Sequence, residues 1–77
     1  MKIENVCALI EDMETFDFFY GLLIKCCQHI HLNDFIFREN KQHNYLSWNN
    51  GVWGMYGNSN KTIISVDELE LLIVNEV

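Results

Sequence analysis

Residues 11–31 read EDMETFDFFYGLLIKCCQHIH, and this stretch decides the fold. Its apolar side chains recur at the spacing of one face of an α-helix; they are Phe16, Phe19, Tyr20, Leu23, Cys27 and Ile30. Another face is polar and holds Glu14, Asp17, Gly21, Lys25 and Gln28. Asp12 is placed to cap the start of the helix, and Asn33 is placed to end it in a left-handed conformation. Because such a helix is stable only when its apolar face is packed, the rest of the chain must cover it.

The composition is rich in apolar residues for a short chain. Residues 1–77 make a single domain, in which 49% of the residues are hydrophobic and 13% are aromatic. A core of this size typically contributes only ~3–5 kcal/mol, and it does not need five Phe, three Tyr and two Trp. We therefore expect some aromatic surface to face a partner protein or a second copy of the chain in a homodimer.

Acidic residues dominate both ends of the sequence. The net charge is −6, with carboxylates concentrated in residues 4–17 and 67–76, whereas residues 25–61 are mildly basic. Direct binding of nucleic acid normally needs a basic face, so this charge balance argues against it. The balance suits attraction to a basic protein surface. A solvated acidic face that only aids solubility is the alternative interpretation.

The cysteines and the first residues indicate a cytoplasmic protein. Cys7, Cys26 and Cys27 are an odd number of cysteines, and the N-terminus has no signal-peptide pattern. No stretch approaches the ~18 apolar residues of a membrane span. We expect a soluble protein with reduced thiols that does not contact a membrane.

The clearest strand signal is a hairpin. Residues 45–48 and 52–56 flank Asn50-Gly51, which is a strong type I′ turn signal. The register that this turn sets puts four side chains on one face: Leu46, Trp48, Trp53 and Met55. It puts four others on the second face: Tyr45, Ser47, Gly54 and Tyr56. A one-residue slip would split the tryptophans between faces. We expect the tryptophan face to lie in the core; an exposed tryptophan face that stacks nucleic-acid bases is the alternative.

Two further segments read as strands. Residues 6–10 are a short apolar run that favours a buried strand, although their spacing also fits a helix. Residues 35–38 read as a second strand, and a polar turn over residues 39–44 leads from it to the hairpin.

The C-terminal part supplies a strand and a cap. Residues 61–64 read as a strand, and Ser65-Val-Asp-Glu68 is a capping box that starts a short helix. The apolar residues 71–74 are the alternative site for another strand. The predicted fold is α+β: one main amphipathic helix packed on a small, mostly antiparallel sheet, with a short C-terminal helix.

Two pieces of the sequence resemble small accessory proteins encoded by bacteriophages. One is the apolar strand that runs through an acidic turn into the helix, VCALIEDMETF at residues 6–16. The other is the closing strand and cap, KTIISVDEL at residues 61–69. Such proteins often place a Gly-aromatic-x-Trp step after the main helix, where this chain has Leu32-Asn-Asp-Phe35. The resemblance implies an early-expressed binder of a host protein, a class that includes inhibitors of bacterial defence systems.

Cys26, Cys27, His29 and His31 crowd the predicted end of the main helix. Zinc normally takes four ligands and shows paired Cys-x-x-Cys spacing, which is absent, so we expect no metal and no cofactor. A metal or small-molecule site built from these four residues is the alternative function. A Cys–His nucleophile would also need an oriented third group, and no Gly-rich oxyanion loop accompanies it, so we expect no enzymatic activity.

The sequence favours a non-enzymatic protein-interaction module, and the resemblance implies that this module is a phage inhibitor of a host protein. Tyr45 and Tyr56 are predicted to contact the partner, because tyrosine is enriched at interfaces. Glu14 and Asp17 are predicted to steer a basic partner towards the protein. An acidic mimic of nucleic acid is a further alternative.

Overall fold

The described residues form two α-helices and five strands. The computed structural model describes residues 2–39 and 43–76, so residues 40–42 of the predicted polar turn lie outside it. In chain order the elements are β1 (Val6–Leu9), α1 (Met13–Lys25), β2 (His29–Ile30), β3 (Tyr45–Asn49), β4 (Val52–Tyr56), β5 (Thr62–Ile64) and α2 (Val66–Glu76), and a 3₁₀ turn at Ile3–Asn5 precedes β1.

The strands form one mixed sheet in the order β2-β4-β3-β1-β5. Antiparallel pairing joins β1 to β3 and β3 to β4, whereas parallel pairing joins β1 to β5 and β2 to β4. Both helices pack on the same side of this sheet, since their buried residues belong to one core cluster with it. The predicted α+β class is confirmed, with its main helix on the sheet and its short C-terminal helix.

Residues 6–10 contain a strand and not the alternative helix. β1 lies between β3 and β5, and Val6, Cys7 and Ala8 are all buried. A central strand that is covered on both faces needs apolar side chains on both, which explains the unbroken apolar run. Val6 and Ala8 join the core under the helices. Because successive strand residues point to opposite sides, Cys7 lies on the other side, which we call the outer face.

β3 and β4 form the predicted hairpin. Asn50 and Gly51 make the two-residue turn with φ angles of 53° and 91°, in the left-handed region that a type I′ turn requires. Trp48 pairs with Trp53, and the whole register is the predicted one. Trp53 is completely buried in the core, which confirms that the tryptophan face lies inside.

α1 begins where the sequence predicts. The Asp12 carboxylate accepts a hydrogen bond of 2.7 Å from the Thr15 N–H and so caps the helix. Phe19 and Leu23 are the buried residues of α1, at 1% and 0% exposure. The predicted apolar face is therefore the one that packs on the sheet.

The predicted end of the main helix is wrong. α1 stops at Lys25, and Cys27 takes the left-handed conformation, with a φ of 58°, that the sequence assigns to Asn33. The N–H groups of Cys27 and Gln28 donate to carbonyls of the last turn, in a Schellman motif that satisfies them locally. Ile30 is apolar because it packs on the core from strand β2, and not because it belongs to α1. The sequence does not predict β2.

Residues 35–38 do not form the predicted strand. Phe35 is buried in the core, but the backbone at Arg38 bonds the buried side chain of Asn44. The Arg38 N–H donates to Asn44 Oδ1 (3.0 Å), and Asn44 Nδ2 donates to the Arg38 carbonyl (3.1 Å). Arg38 Nη1 also donates to the Met55 carbonyl (3.2 Å). Side-chain bonds thus satisfy polar groups that a strand ladder would otherwise use.

α2 begins at the predicted capping box. Ser65 Oγ accepts from the Glu68 N–H (3.1 Å), and the Ser65 hydroxyl donates to the Glu68 carboxylate (3.2 Å). Leu69 and Ile73 are buried against the sheet, at 0% and 1% exposure. Residues 71–74 continue this helix and do not form the alternative strand.

The connection from β4 to β5 crosses the outer face of the sheet. β4 and β5 both run parallel to β1, with β3 and β1 between them, so the chain after Tyr56 must return along the length of the sheet. Residues 57–61 make this crossing, and we call them the strap. Cys7 and Ser47 are buried on the outer face as a result.

Candidate functional site

The fold brings the two acidic ends of the sequence together. β1 and β5 are parallel neighbours and each leads into a helix, so α1 and α2 begin side by side at one end of the sheet. The described carboxylates in these helices and at their N-terminal ends are Glu11, Asp12, Glu14, Asp17, Asp67, Glu68 and Glu70. Lys25 is the only base in the sequence of either helix. The helical side of the domain is therefore strongly acidic.

A groove of about 420 Å³ runs between the first turns of the two helices, and we call it the helix groove. Its lining combines apolar side chains with two carboxylates from each helical segment, and it contains no base. The lining residues are Asp12, Glu14, Thr15, Phe18, Phe19, Val66, Asp67 and Glu70. The groove thus offers both a hydrophobic contact and a negative rim.

Phe18 is the large apolar side chain that the helix groove leaves open to solvent. It is 49% exposed and packs edge to face on the buried ring of Phe19, with the ring centroids 5.4 Å apart. Such an edge-to-face pair is favourable by ~0.5–1.5 kcal/mol. The half-buried Val66 lines the same groove from α2. An apolar group placed between the helices would therefore bury Phe18 further, which is favourable by ~25 cal/mol per Å².

Asp12 carries a fixed negative charge at the end of the groove. The hydrogen bond from the Thr15 backbone N–H, followed by the one from its side chain, lowers the pKa of Asp12 from its ordinary value of 3.8. Hydrogen bonds to a carboxylate favour its charged form. Asp12 is consequently ionised throughout the physiological pH range.

The four predicted contact residues do not form one surface. Glu14 and Asp17 are exposed on α1, and of these two only Glu14 lines the helix groove. Tyr45 and Tyr56 lie opposite each other on the outer face, on the other side of the sheet from both helices. A partner that lies flat on one side of the domain cannot contact both pairs.

The two tyrosines are half-buried and held by neighbouring groups. Tyr45 stacks on His43, with ring centroids 5.7 Å apart and an interplanar angle of 13°. The Tyr56 ring lies over Gly54, where an added Cβ would come within 2.5 Å of the Tyr56 hydroxyl oxygen. Gly54 is therefore required for the close approach of this ring to the sheet.

Beside the tyrosines, the strap borders a polar cleft of about 470 Å³. Ser47, Asn49 and Tyr56 line it from the sheet, and residues 58–61 line it from the strap. Lys61 Nζ donates to the Trp48 carbonyl, and burial lowers the pKa of Lys61. In this position the lysine satisfies a backbone carbonyl of β3, which gives it a structural role.

The four candidate metal ligands do not converge. Cys26 is half-buried against the core, whereas Cys27 and His29 are exposed. His31 Nδ1 lies 3.5 Å from the carboxylate of Asp34. Within residues 2–39 and 43–76, no three Cys, His, Asp or Glu side chains are placed to hold a metal ion. The early end of α1 is the physical reason, since Cys27 and His31 no longer share a helical face.

Phe18 and the α2 wall of the groove are the part of the site that sequence reasoning missed. Phe18 lies on the polar face of α1 and not on the predicted apolar face. An aromatic residue on a polar helix face is the one feature of the sequence that indicates a candidate contact residue here. Val66, Asp67 and Glu70 become its neighbours only through the parallel pairing of β1 with β5. No local pattern specifies that pairing.

In the part of the chain that the structure describes, neither helix is long and apolar enough to cross a membrane. Comparisons with protein-family models, with curated proteins and with solved structures found no match for this chain. The assignment of a function therefore rests on the geometry of the helical side and of the outer face.

Proposed function

We propose that this chain is a small, acidic, non-enzymatic protein-interaction module that binds a partner protein with a basic surface. The observation that carries this proposal is the segregation of charge by the fold. Seven described carboxylates lie in or next to the two helices, whereas Lys25 is the only basic residue in either helix. Exposed apolar residues are interspersed among them, with Met13, Phe18 and Ile24 on α1 and Leu71 and Val74 on α2.

Charge and apolar surface have separate effects on binding. Carboxylates concentrated on one side attract a basic protein at long range and raise the rate of association. Apolar side chains supply the energy of the bound state, which is usually concentrated in a few aromatic anchors. The helical side provides both, whereas the outer face is crossed by the strap and its tyrosines are half-buried.

Inhibition of a bacterial host protein is the specific form of this function that the resemblance to phage accessory proteins supports. A host defence protein is the target that the resemblance favours, and the host cytoplasm is then the place of action. The acidic, partly apolar surface of the two helices supports this hypothesis.

An acidic mimic of nucleic acid is the second candidate, because the same charge segregation favours it. A mimic replaces phosphates with carboxylates and so binds the basic site of a nucleic-acid-binding protein. The two candidates differ in one measurable property. A mimic is displaced from its partner by DNA or RNA, whereas an interaction module that relies on the helix groove is displaced only where the sites overlap.

The test is affinity capture from a bacterial extract, with two variants that carry the same charge change. Glu14→Gln with Glu70→Gln removes one of the two carboxylates from each wall of the helix groove, whereas Glu4→Gln with Glu39→Gln removes two exposed carboxylates outside the helices. We expect the first pair to lose most of a captured partner and the second pair to keep it. Raising the salt from about 50 mM to about 500 mM should weaken capture by the wild type. If both variants keep the partner equally, or if only Tyr56→Ala loses it, the binding surface lies outside the helices.

A further inference from the structure

We infer that the helix groove is the docking site for a partner segment that carries an apolar side chain flanked by Lys or Arg. This inference rests on the proposed function and adds the site and the chemistry of the occupant. The groove lies between the first turns of two helices that begin at the same end of the sheet, so it can accept a short extended or helical segment.

Phe18 and Val66 give the groove an apolar lining that an apolar side chain of the partner can contact. Phe18 is half-exposed and packs edge to face on the buried ring of Phe19, so it offers an apolar surface in the groove. The groove volume of about 420 Å³ lies within the ~300–1,000 Å³ range of protein clefts that bind ligands. One large aliphatic or aromatic side chain of the partner can therefore enter between the helices.

The carboxylates on the rim of the groove favour basic residues in the partner. Asp12 and Glu14 border the groove on one side, and Asp67 and Glu70 border it on the other. The two helix N-termini add only about half a positive charge each, which offsets about one of these four carboxylates. The groove therefore keeps a negative potential, and Arg or Lys beside the apolar anchor would complement it.

The same charges disfavour two other occupants. A second copy of this chain that used the same groove would bring four more carboxylates to the interface, which is repulsive. An acidic peptide is rejected for the same reason. A basic segment of a different protein is the occupant that the lining favours.

The experiment uses three synthetic helical peptides and the full chain. The first peptide has a central Leu and Trp flanked by Lys and Arg, the second has Glu in place of each base, and the third has Ser in place of Leu and Trp. Binding is measured by fluorescence anisotropy of a dye on the peptide and by backbone NMR shifts of the protein. We expect saturable binding of the first peptide alone, with shifts concentrated at Thr15, Phe18 and Asp67.

Two variants decide the site. Phe18→Ser should weaken binding of the first peptide about tenfold or more, as expected for an aromatic anchor. Leu32→Ser is the matched control, because Leu32 is 89% exposed outside the groove and should leave the affinity unchanged. Glu14→Gln with Glu70→Gln, which preserves the apolar lining, should weaken binding about threefold or more at low salt.

The outcomes separate this inference from the proposed function. Failure of the first peptide to bind, or unchanged binding by Phe18→Ser and by the Glu14→Gln, Glu70→Gln variant, overturns the groove as a docking site. Shifts confined to Tyr45 and Tyr56 overturn it as well. The proposed function survives either result if the folded chain still captures a protein partner. It fails if none of the surface variants changes what the chain captures.

Discussion

Leu23→Ala tests the packing that positions the helix groove. Leu23 is completely buried in the core cluster, one residue before the exposed Ile24. The substitution removes three buried carbons, which at ~0.8 kcal/mol each lowers the free energy of unfolding by ~2.4 kcal/mol. The cavity that remains raises the loss to ~3–5 kcal/mol. Because a core of this size typically contributes only ~3–5 kcal/mol, the variant should lose most of its stability.

Urea unfolding followed by tryptophan fluorescence measures this loss, since Trp53 is buried in the same core. Ile24→Ala is the matched control: Ile24 is 52% exposed on the same turn of α1, and its truncation should cost less than ~1 kcal/mol. The m-values of both variants should equal that of the wild type. If Ile24→Ala were as costly as Leu23→Ala, α1 would be rotated about its axis, and Phe18 would not line the groove.

Three further predictions concern the local geometry of the chain. The pKa of Asp12 in the folded protein is lowered from 3.8, so its ionised form should stabilise the fold above pH 3.8. This stabilisation should be lost as the pH falls through the lowered pKa of the folded protein. Asp12→Asn should remove this part of the acid dependence of the melting temperature. Cys27→Gly should leave the free energy of unfolding unchanged or raise it by up to ~1 kcal/mol, whereas Cys26→Gly, at a φ of −88°, should lower it in urea titrations. Gly54→Ala should lower the melting temperature by displacing the Tyr56 ring, and the loss should be smaller in a Tyr56→Ala background.

Local signals in the sequence predicted most of the fold. The Asn50-Gly51 turn fixed the register of the hairpin, because a type I′ turn leaves no freedom in the pairing of its strands. Asp12 and Ser65 marked the starts of both helices through side-chain bonds to nearby backbone groups. These features depend on residues within a few positions of one another, and that is why they could be found without the structure.

The errors arose where contacts between distant segments decide the conformation. The apolar spacing of Cys27 and Ile30 fits a longer helix, yet the chain turns at Cys27 because Ile30 can then enter the core beside β4. A cysteine in the left-handed conformation is uncommon, so the sequence gives no warning of this turn. Residues 35–38 have strand-like composition, but Asn44 bonds the backbone at Arg38, and a bond between side chain and backbone leaves no periodic pattern.

The candidate site depends on topology more than on any single motif. A third hairpin strand after β4 would run antiparallel to it, and a helix after that strand would begin at the opposite end of the sheet from α1. The strap instead carries the chain across the outer face, so β5 pairs in parallel with β1 and both helices begin together. Two acidic segments that are about fifty residues apart in sequence thereby become the two walls of one groove. Like charges so placed repel one another and lower the stability of the fold, and a basic partner is the ligand that would relieve this repulsion.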